Sequence, residues 1–202
     1  MAHKRSILVG FGAILLIFVG IVAWKLGPAL LPAKHVEVGI AVGTRAPVDL
    51  PLRDMNGQAT TLNAQMGERG LVLFLVRSAD WCPFCKAQLI RSEKIREALS
   101  ARGYSMASLS YDEPSVLNEF ARSKGVGYAM LSDKDSKLIS AMGLRDPQYA
   151  ADSKAFGVPR ASVLVIGTDG TVRAKFVDED YRSRQSNEQV LSMVAAVDKQ
   201  AN

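Results

Sequence analysis

The chain has 202 residues, 48% hydrophobic and 22% charged, with a formal net charge of +5 and a pI of 9.3. That composition fits one globular domain plus an appendage and excludes a disordered or fibrous chain. The basic balance does not indicate nucleic acid, because charges of both signs are scattered, as in Glu93-Lys94-Ile95-Arg96-Glu97, and no basic stripe is interleaved with aromatics.

Residues 1–6 form a short basic tail. Ile7 to Trp24 carries no charge, and these 18 residues would span about 27 Å as a helix, close to a bilayer core of about 30 Å. Lys25 can snorkel, Trp24 suits the interface, and Gly27-Pro28 ends the helix. The expectation is a single-pass transmembrane anchor over 7–26. A cleaved signal peptide fits less well: its apolar core is normally about 7–15 residues, and Leu31-Pro32-Ala33 is a poor cleavage site. No cysteine lies nearby to carry a lipid. A short tail before a first apolar helix argues for an inside N-terminus. The domain beyond it is then expected to face the periplasm or cell exterior from a bacterial cytoplasmic membrane, where redox-active cysteine pairs are common. Residues 27–42 read as a linker and 43–202 as the folded domain.

Leu50 to Leu62 reads as a hairpin about Asn56-Gly57. Leu71–Val76 is apolar without alternation, which predicts a central strand covered on both faces. A helix follows Cys82 and is expected to run to about Arg102, with Gly103 as its stop. Tyr104–Ser110 is the next strand, Pro114–Lys124 a helix ended by Gly125, Met130–Asp133 a short extended piece, and Lys137–Met142 a helix ended by Gly143. Ala161–Ile166 and Thr171–Val177 pair about Thr168-Asp169-Gly170, and Asn187–Lys199 is a terminal helix with Val190, Met193, Val194 and Val197 on one face.

Cys82 and Cys85 are the only cysteines. They follow a predicted strand and open a predicted helix, the context that gives a Cys-x-x-Cys pair redox meaning. The thiolate is the nucleophile, and unpaired N–H groups at a helix N-terminus favour its charge. Cys82 is expected at that end and exposed, with Cys85 one turn along and close enough to bridge it. Structural zinc lacks further ligands, since the only histidines are His3 and His35. A purely structural disulfide would close a very small loop for little gain. No cofactor is implied: no metal site, phosphate loop or nucleotide fingerprint stands out.

Trp81-Cys82-Pro83-Phe84-Cys85, the opening Gly43-Thr44-Arg45-Ala46-Pro47 and the element order resemble the thioredoxin-like superfamily, in its redoxin (AhpC/TSA, TlpA-like) branch, from about Val42 to about Val197. The resemblance implies an α/β thioredoxin-like fold with an N-terminal β-hairpin extension and an insertion, about Tyr128 to Phe156, before the final hairpin. It implies that Cys82 attacks, Cys85 resolves and Trp81 shields the disulfide. It also implies a cis-proline opposite the pair, and Pro159 is then either that proline with two extra residues behind it or an ordinary turn proline. The sequence departs from the pattern in three places. Val76 stands where many thioredoxins bury an Asp, with Arg77 expected on the opposite strand face. Ala79 stands where peroxiredoxins carry a Thr or Ser hydroxyl. The peroxiredoxin Arg position falls on Ala161, beside Arg160.

The leading expectation is a membrane-anchored thiol–disulfide oxidoreductase whose partners are a protein disulfide substrate and an upstream dithiol electron donor, with the membrane engaged through 7–26 and no nucleic acid. A thiol peroxidase working through Cys82 is the first alternative, and a non-catalytic peptide-binding adaptor the second. Asp178-Glu179-Asp180-Tyr181-Arg182-Ser183-Arg184 resembles a polar redoxin segment and reads as a solvated loop.

Overall fold

The computed structural model describes residues 38–178 and 180–200. The tail 1–6, the anchor expected over 7–26 and residues 27–37 of the linker lie outside the described residues. Among the described residues no helix is long and apolar enough to cross a membrane.

A seven-stranded mixed sheet carries the fold, in the order β2-β1-β5-β4-β3-β6-β7. The strands are β1 (Leu52–Asp54), β2 (Ala59–Thr60), β3 (Gly70–Leu75), β4 (Tyr104–Ser110), β5 (Ala129–Ser132), β6 (Ser162–Gly167) and β7 (Val172–Val177). β3 lies parallel to β4, β4 parallel to β5, and β6 and β7 complete one edge antiparallel. The helices are α1 (Pro83–Ser92), α2 (Arg96–Ser100), α3 (Pro114–Lys124), α4 (Lys137–Ala141) and α5 (Asn187–Gln200).

All six residues of β3 are buried, as its unbroken apolar run requires. Val72, Phe74 and Val76 join one core with Leu89, Leu99, Leu117, Phe120 and Val194. Leu71, Leu73 and Leu75 join the other with Leu52, Leu109, Leu131, Leu138 and Leu164. Each such side chain contributes about 1.5–3 kcal/mol by leaving water, so neither face of the strand can be turned outward.

The predicted hairpin turns at Gly57, whose φ of +79° is open to glycine. Asp54 fixes that turn by accepting the N–H groups of Asn56 and Gln58, both at 2.8 Å. The hairpin extends the main sheet, because β1 also pairs with β5.

The long helix expected after Cys82 is broken. α1 stops at Ser92, a 3-10 turn covers Glu93–Ile95, and α2 follows. The cause is competition for carbonyls at the end of α1. Tyr128 Oη donates to the Leu89 carbonyl and Asn187 Nδ2 to the Arg91 carbonyl, each at 2.9 Å. Side chains that enter the helical ladder this way bend or end a helix. Residues 38–42, the end of the expected linker, are bound to the domain: Ile40 N–H donates to Met142 at 2.7 Å, and Lys175 Nζ donates to the carbonyls of Val38 and Ile40.

Candidate active site

Cys82 caps the N-terminus of α1, with Pro83 in the first turn where a missing N–H costs nothing. Its Sγ accepts the N–H of Cys85 at 3.3 Å. Cys85 belongs to the inward stripe of α1 with Gln88, Leu89 and Ser92, the spacing of one helix face. The two cysteines form a disulfide, Cα–Cα 5.2 Å. Both predicted residues therefore meet at the expected helix end.

The expected exposure of Cys82 is not observed. Cys82 is 1% exposed and Cys85 0%. To bridge the inward-facing Cys85, Cys82 turns its sulfur into the core, while Trp81 and Phe84 take the solvent-facing positions at 44% and 40% exposure.

The loop that delivers Cys82 is held from β4. Asp112, 8% exposed, accepts Ser78 Oγ at 2.8 Å, Ala79 N–H at 2.7 Å and Ser110 Oγ at 2.8 Å. Ser78 Oγ in turn accepts the N–H groups of Asp80 and Trp81. Burial pushes the Asp112 carboxyl above its usual range, and the hydrogen bonds from Ala79, Ser78 and Ser110 oppose that rise. Sequence reasoning missed Asp112. Its place follows only from the parallel register of the folded sheet: Leu75 pairs with Leu109, so continuing the offset places position 112 beside Ser78.

Arg77 also belongs to the site. β3 ends at Leu75, so strand alternation no longer governs Arg77, which is buried at 2% exposure. Its guanidinium faces the rings of Tyr181 at 4.2 Å, Trp81 at 5.2 Å and Tyr149 at 5.3 Å, and donates to Tyr149 Oη. Trp81 Nε1 donates to Tyr111 Oη at 3.0 Å, and Phe84 packs edge-on against Tyr181.

The segment read as a solvated loop also contributes. Asp178 and Gln185 are buried and joined by a 2.9 Å hydrogen bond from Gln185 Nε2 to Asp178 Oδ1. Arg91 Nη2 on α1 donates to the Gln185 carbonyl at 2.9 Å, tying the segment down. Arg184 Nη2 lies 3.4 Å from Cys85 Sγ. The fold thus brings a guanidinium to the second sulfur from 99 residues away. Burial raises the Asp178 carboxyl to about 6, with Gln185 and Arg184 opposing.

Pro159 and Arg160 are not brought to the pair by any hydrogen bond among the described residues. Pro159 is trans, like every described peptide bond, and forms an antiparallel bridge with Arg145. Asp146 N–H donates to Val158 and Arg160 N–H to Leu144, at 2.8 and 2.7 Å. This local pairing holds Pro159 as an extended residue, so the cis-proline alternative fails. The cation hydrogen-bonded to the disulfide among the described residues is Arg184.

The chain is similar to the putative peroxiredoxin MT2597 of Mycobacterium tuberculosis, 26% identical over 130 residues, which are 64% of this chain and 80% of that protein. It is likewise 26% identical over 149 residues to the chloroplastic peroxiredoxin Q of Gentiana triflora, covering 69% of this chain and 65% of that one. The crystal structure of peroxidoxin BcpB from Mycobacterium tuberculosis has the same fold, with a TM-score of 0.68 at 19% identity over 78% of this chain and 97% of that chain. The family model described as the AhpC/TSA family matches residues 42–175, a span that includes both cysteines, and the chain belongs to that family.

Proposed function

We propose that this protein is a thiol peroxidase in which Cys82 reduces the peroxide and Cys85 closes the disulfide. The observation that carries the reading is the Cys82–Cys85 bridge at the N-terminus of α1, in a chain of the AhpC/TSA family whose curated relatives are named peroxiredoxins. In the reduced protein the helix end and the Cys85 N–H stabilise the Cys82 thiolate. The thiolate attacks one peroxide oxygen, the O–O bond breaks, and the departing alkoxide takes a proton to leave as an alcohol, or as water from hydrogen peroxide. Cys82 is left as a sulfenic acid. Cys85 then attacks Cys82 Sγ, hydroxide leaves and is protonated to water, and the disulfide forms. A dithiol carrier returns two electrons by thiol–disulfide exchange and is itself oxidised.

Disulfide exchange with a protein substrate is the second reading, and Ala79 favours it. A methyl stands where the resemblance to peroxiredoxins implies a Thr or Ser hydroxyl for the peroxide. The apolar stretch 7–26 is proposed as a membrane anchor presenting the domain to the periplasm or cell exterior. Its test is carbonate extraction of membranes from cells making the full chain.

Rapid mixing of the reduced protein with hydrogen peroxide and an organic hydroperoxide separates the two readings. A peroxidase loses its thiols far faster than a free cysteine does, and the Cys85→Ser chain accumulates a sulfenic acid at Cys82. A rate near that of free cysteine, with fast reduction of a protein disulfide, selects exchange instead.

A further inference from the structure

We propose that Arg184 is a catalytic cation for Cys85, holding the buried second sulfur as a thiolate so that it leaves and re-forms the disulfide without a neighbouring base. The assignment rests on the thiol chemistry proposed above and serves both of its versions.

Cys85 has no exposed surface and sits among Val76, Ala79 and Leu89 in one core cluster. Burial in apolar surroundings disfavours the charged form and raises a thiol's pKa. A resolving cysteine in such a place needs either a base to take its proton or a cation to hold its charge. The position beneath the pair that many thioredoxins fill with a carboxylate is Val76, fully buried and apolar. What reaches the sulfur is the Arg184 guanidinium, 3.4 Å away at Nη2.

Among the described residues that cation is not consumed elsewhere. Among the described residues no carboxylate forms an ion pair with Arg184 within 4.0 Å, and its Nη1 bonds only the Ser183 carbonyl. Asp178 Oδ1 instead accepts Gln185 Nε2–H at 2.9 Å. The charged groups around Arg184 come from three elements: Arg77 after β3, Arg91 on α1, and Asp178 and Asp180 after β7. Asp80 and Lys86 flank the cysteines in sequence. Burial pushes the Arg184 guanidinium below its ordinary value; Asp178 and Asp180 oppose that fall, and Arg77 and Arg91 add to it. An arginine stays protonated through the whole range in which a thiol titrates, so it supplies charge and no proton.

The electron count follows. When a carrier thiolate attacks Cys82 Sγ, the Cys82–Cys85 bond breaks and its electron pair goes to Cys85 Sγ. That sulfur departs as a thiolate already facing a cation, and a more stable leaving thiolate leaves faster. A second carrier thiolate then frees Cys82 and the carrier departs as a disulfide. In the oxidative direction the same Cys85 thiolate attacks the Cys82 sulfenic acid and releases hydroxide, which solvent protonates.

The test is the ultraviolet absorbance of the thiolate, titrated in the Cys82→Ser chain, where Cys85 is the sole cysteine. The midpoint is expected below the free-thiol value of about 8.5. Arg184→Gln in that background is expected to raise it by about one unit or more. Arg184→Lys, which keeps the charge without the planar fork, is expected to lie between them. A midpoint at or above that of a free thiol with Arg184 intact overturns the proposal, and this reading holds even if a variant at 184 fails to fold. Peroxide consumption by the Cys85→Ser chain is measured in parallel and reads Cys82 alone. Its loss sinks the peroxidase reading and leaves the Arg184 assignment standing. An unperturbed Cys85 midpoint does the reverse.

Discussion

Asp112 Oδ2 accepts the N–H of Ala79 at 2.7 Å, so a carboxylate at the end of β4 fixes the backbone three residues before Cys82. Asp112→Ala leaves that N–H and two serine hydroxyls without their acceptor in a buried place. The expected cost is about 2–3 kcal/mol of stability, read as a lowered urea midpoint at constant slope. Asp112→Asn keeps the shape and one acceptor oxygen and is expected to lose less. Reaction of Cys82 with peroxide should fall in the same order, because the loop sets where α1 begins.

Arg77 has no carboxylate partner among the described residues, and its stability comes from three rings and one hydroxyl. Each desolvated guanidinium–ring contact contributes on the order of 1–2 kcal/mol. Arg77→Met is expected to lower the denaturation midpoint. Arg77→Lys should fail to restore it, since an ammonium cannot stack flat on a ring or fill the same volume. Full restoration by lysine would mean that charge alone matters at this position.

Asp178 supplies a pH signature. Its folded carboxyl titrates at about 6, whereas an unfolded one titrates at about 4. Between those values the native chain holds a proton that the unfolded chain has released. Its contribution to stability is therefore present at low pH and declines as pH rises through the window. Melting temperatures of the protein and of Asp178→Asn, compared from pH 4 to pH 7, should diverge in favour of the asparagine variant. A gap independent of pH would show that the carboxyl is not perturbed.

Local signals carried most of the fold. Pro114 and Gly125 bracket α3 as read, because proline fixes the first turn and glycine takes the left-handed φ of +67° past the last. Asn56-Gly57 marks its hairpin, and the apolar run at β3 its central strand. The break in the helix after Cys82 is not legible locally, because Tyr128 and Asn187, which interrupt it, lie 39 and 96 residues from the carbonyls they bind. The site divides the same way. Cys82 and Cys85 are adjacent signals on one turn. Asp112, Arg77 and Arg184 act through contacts that exist only once strands are in register or a loop has folded back over α1. The rings that Arg77 meets, Tyr149 and Tyr181, come from distant segments that no local pattern marks.

A disulfide with almost no exposed surface ties turnover to two separate frequencies, that of the chemistry and that with which the sulfurs are uncovered. Phe84, between the two cysteines in sequence and 40% exposed, meets Tyr181 edge to face, ring centroids 6.0 Å apart. Such a pair is worth about 0.5–1.5 kcal/mol, so trimming Phe84 to alanine should raise the uncovered fraction about two- to tenfold. The prediction runs against ordinary mutational intuition, in that a change that loosens the molecule should hasten recycling by a bulky protein reductant while scarcely altering recycling by a small one. Slower recycling by both would place the limiting event at the sulfurs themselves.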